Sequence, residues 1–271
     1  MIVLLRKAGA FVRRDFRIES GYKASFIMRL AESFMILVFF YFLGELMALR
    51  GSATLGKYGN HYFPFAIIGL AFARYFDLTL KLFSESISLA QVTGCLEAML
   101  SSQTGCVTIV LMSSLYGLIS GAVQLLLILV TGAFVFGVDF SRMNVPATLL
   151  VFVLSIIIFV GLGVLSAAAV VWLKKGDPVT WFLGGFGSIV GGAYFPIDVM
   201  PAWMQTLSLL IPISHTLDAL RLTMLKGQSI LMVAKPLTTL AVIAAILLPA
   251  SVALFAAAVR KGRREGTLLQ Y

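Results

Sequence analysis

From Ala147 to Leu173 the chain runs without one ionisable side chain. A helix on the surface of a soluble protein keeps a polar face, and a half-buried strand alternates polar with apolar residues. An uncharged run longer than the roughly 20 residues needed to cross hydrocarbon does neither, and it fits a bilayer. It is one of six such blocks, at about 26–47, 62–83, 107–137, 147–173, 179–197 and 236–259. Backbone groups in hydrocarbon must satisfy one another, so each block is expected to be a helix. The expected fold is therefore all-α and polytopic, with six transmembrane helices. The third block is long enough to tilt, and the fifth is the shortest. Breaks at Gly51 to Asn60, at Asp139 to Pro146 and at Lys174 to Pro178 support these cuts.

Composition closes the other routes. Of 271 residues 60% are hydrophobic and 12% charged, against about a quarter charged in soluble domains. Two cysteines and two histidines leave no material for a metal centre or a disulfide framework. The net charge of +9 is read as basic ends held at an anionic membrane face, not as a nucleic-acid surface. Lys and Arg in short flanks set orientation. Residues 1–29, 81, 174–175 and 260–264 carry most of them, whereas the other side holds only Arg50, Lys57, Arg142, Arg221, Lys226 and Lys235. Both termini are thus expected in the cytoplasm. No cleavable leader is expected, because the basic start and first apolar block are both too long.

The first 24 residues form an amphipathic pattern. On a helix, Leu4, Leu5, Ala8, Phe11, Val12 and Phe16 share one side, and Arg6, Lys7, Arg13, Arg14 and Arg17 the other. Asp15 is the one charge on the apolar side. Such a helix lies in the membrane interface, and Arg13, Arg14, Asp15 and Arg17 are candidates for contact with a cytoplasmic partner. Further charges fall inside the blocks. Arg74, Asp77 and Lys81 lie along one helical face, and Arg29 and Glu32 stand one turn apart. Charges at that depth are normally paired or line a wet cavity. The five are read as a salt-bridge network locking the first two spans, or as part of a translocation path.

Residues 51–58 imitate a phosphate-binding loop, but Tyr58 stands where a hydroxyl must hold magnesium, and no βαβ unit surrounds them. Between the second and third spans a polar stretch, Ser84 to Thr104, carries Gln91, Gly94, Cys95, Leu96, Glu97, Leu100 and Ser102. This resembles the GTLE-x-L-L-x-(S/T)-P pattern of ABC-2 type permeases, the membrane subunits of ATP-binding-cassette exporters, with Cys95 for Thr and Gln103 for Pro. A second likeness begins at Gly191 and includes Phe195, Pro196, Pro201 and Trp203. It continues through Pro212, Asp218 and Arg221, with Ile211 where the family has Asn.

The resemblance implies a homodimer of permeases clamped by two ATPase subunits. ATP and magnesium are then held by the partner, with no cofactor in this chain and no enzymatic chemistry. It makes a helix at about 88–103 the coupling helix, with Gln91, Gly94, Leu96, Glu97 and Ser102 facing the ATPase. Two short helices at 201–211 and 214–226 become re-entrant elements of the exit, within an outer segment 198–235. Residues 1–271 are then a single transmembrane domain, ending in span 236–259 and a basic tail, 260–271, in a bacterial-type inner membrane. The polysaccharide-exporting pattern before the first span is absent, so the expected cargo is hydrophobic, lipid-like or drug-like. A lipid-linked glycan is the alternative. An ion-coupled secondary transporter is the rival from another class, and it lacks the inverted repeats and mid-membrane acids it would need.

Overall fold

A computed structural model describes residues 2–21, 23–49, 61–92, 106–173 and 177–265. Among these residues the fold is helical, with no strand. Helix α1 (Ile2–Ser20) is followed by α2 (Lys23–Leu49), α3 (Tyr62–Val92), α4 (Cys106–Phe134) and α5 (Val145–Leu173). A shorter apolar helix, α6 (Pro178–Val190), leads through a 3-10 turn at Ile197–Val199 to α7 (Ala202–Ser208) and α8 (Pro212–Leu225). The long α9 (Ala234–Glu265) ends the described chain.

Helix α3 is the centre. Of its most apolar window 78% is buried inside the protein, against 11% for α2, which leans on it from outside. Around α3 pack α4, α5 and α8, and α5 lies along α9. The core between them is aromatic: Phe76 meets Phe159 at 4.8 Å between ring centroids, and Phe72 meets Phe152 at 5.8 Å. Dispersion among rings holds such a core even where lipid removes the hydrophobic driving force. The outward sides stay apolar, as at Met35, Phe39 and Phe42 of α2 and Val123, Leu126 and Val130 of α4.

Five helices, α2, α3, α4, α5 and α9, are long and apolar enough to cross a bilayer. The block expected at 179–197 differs from the other five. Its helix stops at Val190, because Gly191 and Gly192 follow and Gly192 takes a φ of +78°. Inside it, Trp181–Phe186 wind as a π-helix. At 1.5 Å per residue the thirteen-residue run is about 20 Å long, short of a full crossing. It nevertheless follows α3 closely. Asp177 shares a cavity wall with Ser84, Gly184 abuts Asp77, and the Tyr62 hydroxyl donates to the Tyr194 carbonyl at 2.8 Å.

Two other boundaries move. Helix α3 does not end near residue 83 but continues to Val92, because Phe83, Ile87 and Ala90 extend its buried stripe and nothing breaks it. The first residues assigned to the coupling helix, 88–92, are thus the last turn of α3. The two short outer helices begin differently from expectation. Pro201 is the N-cap of α7, and α8 starts at Pro212. Ser214, the expected first residue of that helix, therefore lies in the first turn of α8, and its hydroxyl donates to the carbonyls of Ser208 and Ile211.

Candidate functional site

The intramembrane charges expected from the sequence gather around one cavity. Arg29 and Glu32 come from α2; Arg74, Asp77, Lys81 and Glu85 come from α3; Gln124 of α4 and Tyr194 complete the wall. Its volume is about 610 Å³. Arg74 lies twelve residues along α3 from Tyr62, about 18 Å at the helical rise, close to the middle of a hydrocarbon layer about 30 Å thick.

The pairing within this group departs in one respect from the expected network. Arg74 donates through Nη2 to Glu32 Oε1 at 2.8 Å and through Nη1 to Ser33 Oγ at 3.1 Å, tying α2 to α3. Lys81 lies 3.6 Å from Asp77 within α3. Arg29, however, turns away from this group and donates to Glu19 of α1. Glu19, absent from the charges expected at this depth, stands on the adjoining helix just before the tight turn at Gly21. Two buried polar atoms at the cavity lack a hydrogen-bond partner among the described residues: Arg29 Nε, a donor, and Asp77 Oδ1, an acceptor.

Asp77 Oδ1 is reached by α6 only because position 184 is glycine. A β-carbon there would stand 2.2 Å from that oxygen. The neighbouring cavity, about 710 Å³, is lined by Asp77, Lys81 and Glu85 on one side and Asp177, Thr180 and Trp181 on the other. Asp177 starts α6 as its N-cap, accepting from the Thr180 amide at 3.0 Å and from the Ser166 hydroxyl at 2.6 Å, with Pro178 in the first turn. Burial alone would raise the Asp177 carboxyl, but hydrogen bonds from Ser166, Ser84 and Thr180 outweigh it and hold the group below its ordinary value. The Asp177-Pro178-x-Thr180 spacing carries this cap in the sequence itself.

On α1, Arg13, Arg14 and Arg17 line an open groove of about 640 Å³, as the amphipathic pattern expects. Arg14 donates to Asp15 at 2.7 Å and lies over the Phe11 ring. Phe16 meets Tyr116 of α4 edge-on, which seats α1 against the bundle. Of the coupling residues, Gln91 is buried in the last turn of α3, with Oε1 unpartnered among the described residues. Gly94, Leu96, Glu97 and Ser102 lie outside the described residues.

The outer segment is organised by Arg221. The residue is 3% exposed, and its guanidinium donates to the carbonyls of Ala193 at 3.1 Å and Phe65 at 3.3 Å and stacks on the Phe65 ring. One side chain thus joins α8, α3 and the turn after α6. Gly69 makes the closure possible, since a β-carbon there would fall 1.8 Å from the Ala193 carbonyl oxygen. Pro196 is buried and Phe195 is exposed before the 3-10 turn. Pro201 and Trp203 are exposed around the start of α7, Pro212 opens α8, and Asp218 is half-buried one turn before Arg221.

Residues 7–225 match the family model of the ABC-2 type transporter, a span that takes in most of α1, the polar cavity and the Arg221 clamp. No curated protein matches the sequence. With most of its length covered by that match and five helices able to cross a bilayer, the chain belongs to the ABC-2 type transporter family, as a multi-pass membrane subunit of a transport system.

Proposed function

We propose that this chain is the permease subunit of an ABC exporter, paired with a second copy of itself and driven by ATP and magnesium bound to separate ATPase subunits. The observation that carries this is the family match over residues 7–225. The basic face of α1, with Arg13, Arg14 and Arg17 exposed, supports a cytoplasmic N-terminus at an anionic surface. On that orientation α6 and the turn after it are the return from the cytoplasmic side, making six crossings, with α7 and α8 re-entering from outside. The segment 93–105 then faces the ATPase, with Gly94, Leu96, Glu97 and Ser102 in contact and Gln91 at the hinge. A rigid α3 running to Val92 supports this, because closure of the ATPases would tilt it as a lever. The outward path would run past the Arg74 cavity toward the Arg221 clamp. The cargo is a hydrophobic or lipid-like molecule.

Copurification and transport test the proposal together. A tagged chain should bring down an ATPase, and scrambling residues 91–102 should leave that pair assembled but unable to couple hydrolysis to efflux. Transport by the purified chain alone, under an ion gradient and without ATP, contradicts it.

A further inference from the structure

Two cavities meet on the α4 side of α2. The polar one is lined by three cations, Arg29, Arg74 and Lys81, and three anions, Glu32, Asp77 and Glu85, with Arg29 already paired to Glu19 of α1. The second is a slot of about 290 Å³ between α2 and α4, lined chiefly by apolar side chains such as Leu30, Phe34, Leu37 and Leu127. Arg29, Gln124 and Ile128 belong to both walls. Next to a balanced, partly ion-paired pocket thus lies a narrow apolar channel with room for one slender chain.

The unpartnered atoms specify what the polar end would accept. Arg29 Nε is a buried donor and Asp77 Oδ1 a buried acceptor, and each stays unsatisfied among the described residues. A buried polar atom left without a partner is destabilising, and both side chains line the polar cavity, so a guest that draws both atoms out and satisfies them is favoured. A purely anionic head would answer the arginine and be repelled by the acids; a cation would do the reverse. A head carrying both charges answers both.

We propose, resting on the exporter reading above, that this compound cavity binds a single-chain zwitterionic amphiphile. Its anionic group sits at Arg29 and Arg74, its cationic group at Asp77 and Glu85, and its tail lies in the slot between α2 and α4. The guest enters from the membrane, tail between the helices, and the ion pairs Arg74–Glu32 and Lys81–Asp77 open to receive its head.

The test uses the full chain with its ATPase, in nanodiscs of phosphatidylglycerol, so that no zwitterionic lipid competes. The probe is lysophosphatidylcholine with a diazirine on its acyl chain, with labelled residues located by mass spectrometry. The expected result is saturable labelling within 30–37 and 124–131. Unlabelled lysophosphatidylcholine should displace it, whereas lysophosphatidic acid and an alkyl glucoside at the same concentration should not. Leu127→Trp, which fills the slot without touching a charge, should cut labelling at least about fivefold, and Arg74→Gln should do the same where it folds. Labelling spread over the outward residues Phe39 and Val123, wild-type labelling in Leu127→Trp, or equal displacement by the glucoside overturns the site. ATP hydrolysis by the same complex is read in parallel. A hydrolysing complex without saturable labelling sinks the amphiphile site and leaves the exporter reading intact, whereas failure to hold any ATPase sinks the exporter reading itself.

Discussion

Gly69→Ala sets two effects of opposite sign against each other. In an open helix interior, replacing glycine by alanine stabilises by about 0.5–1 kcal/mol, since alanine loses less backbone entropy. At position 69 the added carbon would lie 1.8 Å from the Ala193 carbonyl oxygen and 2.5 Å from the Arg221 guanidinium. Ordinary contact needs well over an ångström more, and the obstructing atom is backbone, so the turn after α6 must move away. Overpacking of this kind costs about 1–3 kcal/mol. The displacement also breaks the 3.1 Å hydrogen bond from Arg221 to Ala193, a charged bond worth about 1.5–3 kcal/mol. The net is a loss of about 2–5 kcal/mol. For a chain of this size that amounts to a fall in melting temperature of roughly 5–15 °C. Thermal unfolding of the purified protein in detergent reads it directly. Gly9→Ala in α1, where the new carbon meets nothing within 4 Å, is the control and should melt at or slightly above the wild type. A Gly69→Ala protein that melts with that control would refute the close approach on which the clamp depends.

Removing the clamp itself, by Arg221→Met, trades two charged hydrogen bonds and a ring contact for an uncharged buried chain, a loss of about 2–4 kcal/mol in the same melt. Asp177→Ala should lose about 1–2 kcal/mol as the α6 cap disappears. Because the Asp177 carboxyl is held below its ordinary value, its contribution is complete above the usual carboxylate range and is lost as pH falls through the folded value. Acid melts of Asp177→Asn should therefore converge on the wild type, and a gap that persists or widens in acid contradicts the assignment. A double-mutant cycle on Arg74 and Glu32 should give a coupling of about 0.2–1 kcal/mol, as for a pair in a wet cavity. A coupling above about 3 kcal/mol would show instead that the pair is dry.

The long apolar helices were legible because hydrocarbon demands length and the absence of charge, and both can be counted along a sequence. That charges at this depth need partners or a wet cavity was legible for the same reason, but the Arg74–Glu32 pairing was not. What escaped was local or depended on three-dimensional approach. Helix α6 ends early because Gly191 and Gly192 break it, and a hydropathy window averages over glycine. Arg29 pairs with Glu19 because the turn at Gly21 brings the end of α1 within reach of the start of α2, which spacing on one helix cannot reveal. Gly69 gave no signal, since its role is fixed by a carbonyl 124 residues away in the chain, at Ala193. Asp177 could have been found from the Asp-Pro-x-Thr cap signature.

The central claim is that ATPase motion enters through the segment after α3. The most direct measurement is disulfide crosslinking between a cysteine at position 97 and cysteines placed on the copurified ATPase, with hydrolysis and efflux followed in the same vesicles. The account requires rapid crosslinking that depends on nucleotide state, and efflux that stops while hydrolysis continues once the link is closed. Modification of that cysteine only by reagents outside the cell, with no crosslink in any nucleotide state, would contradict it.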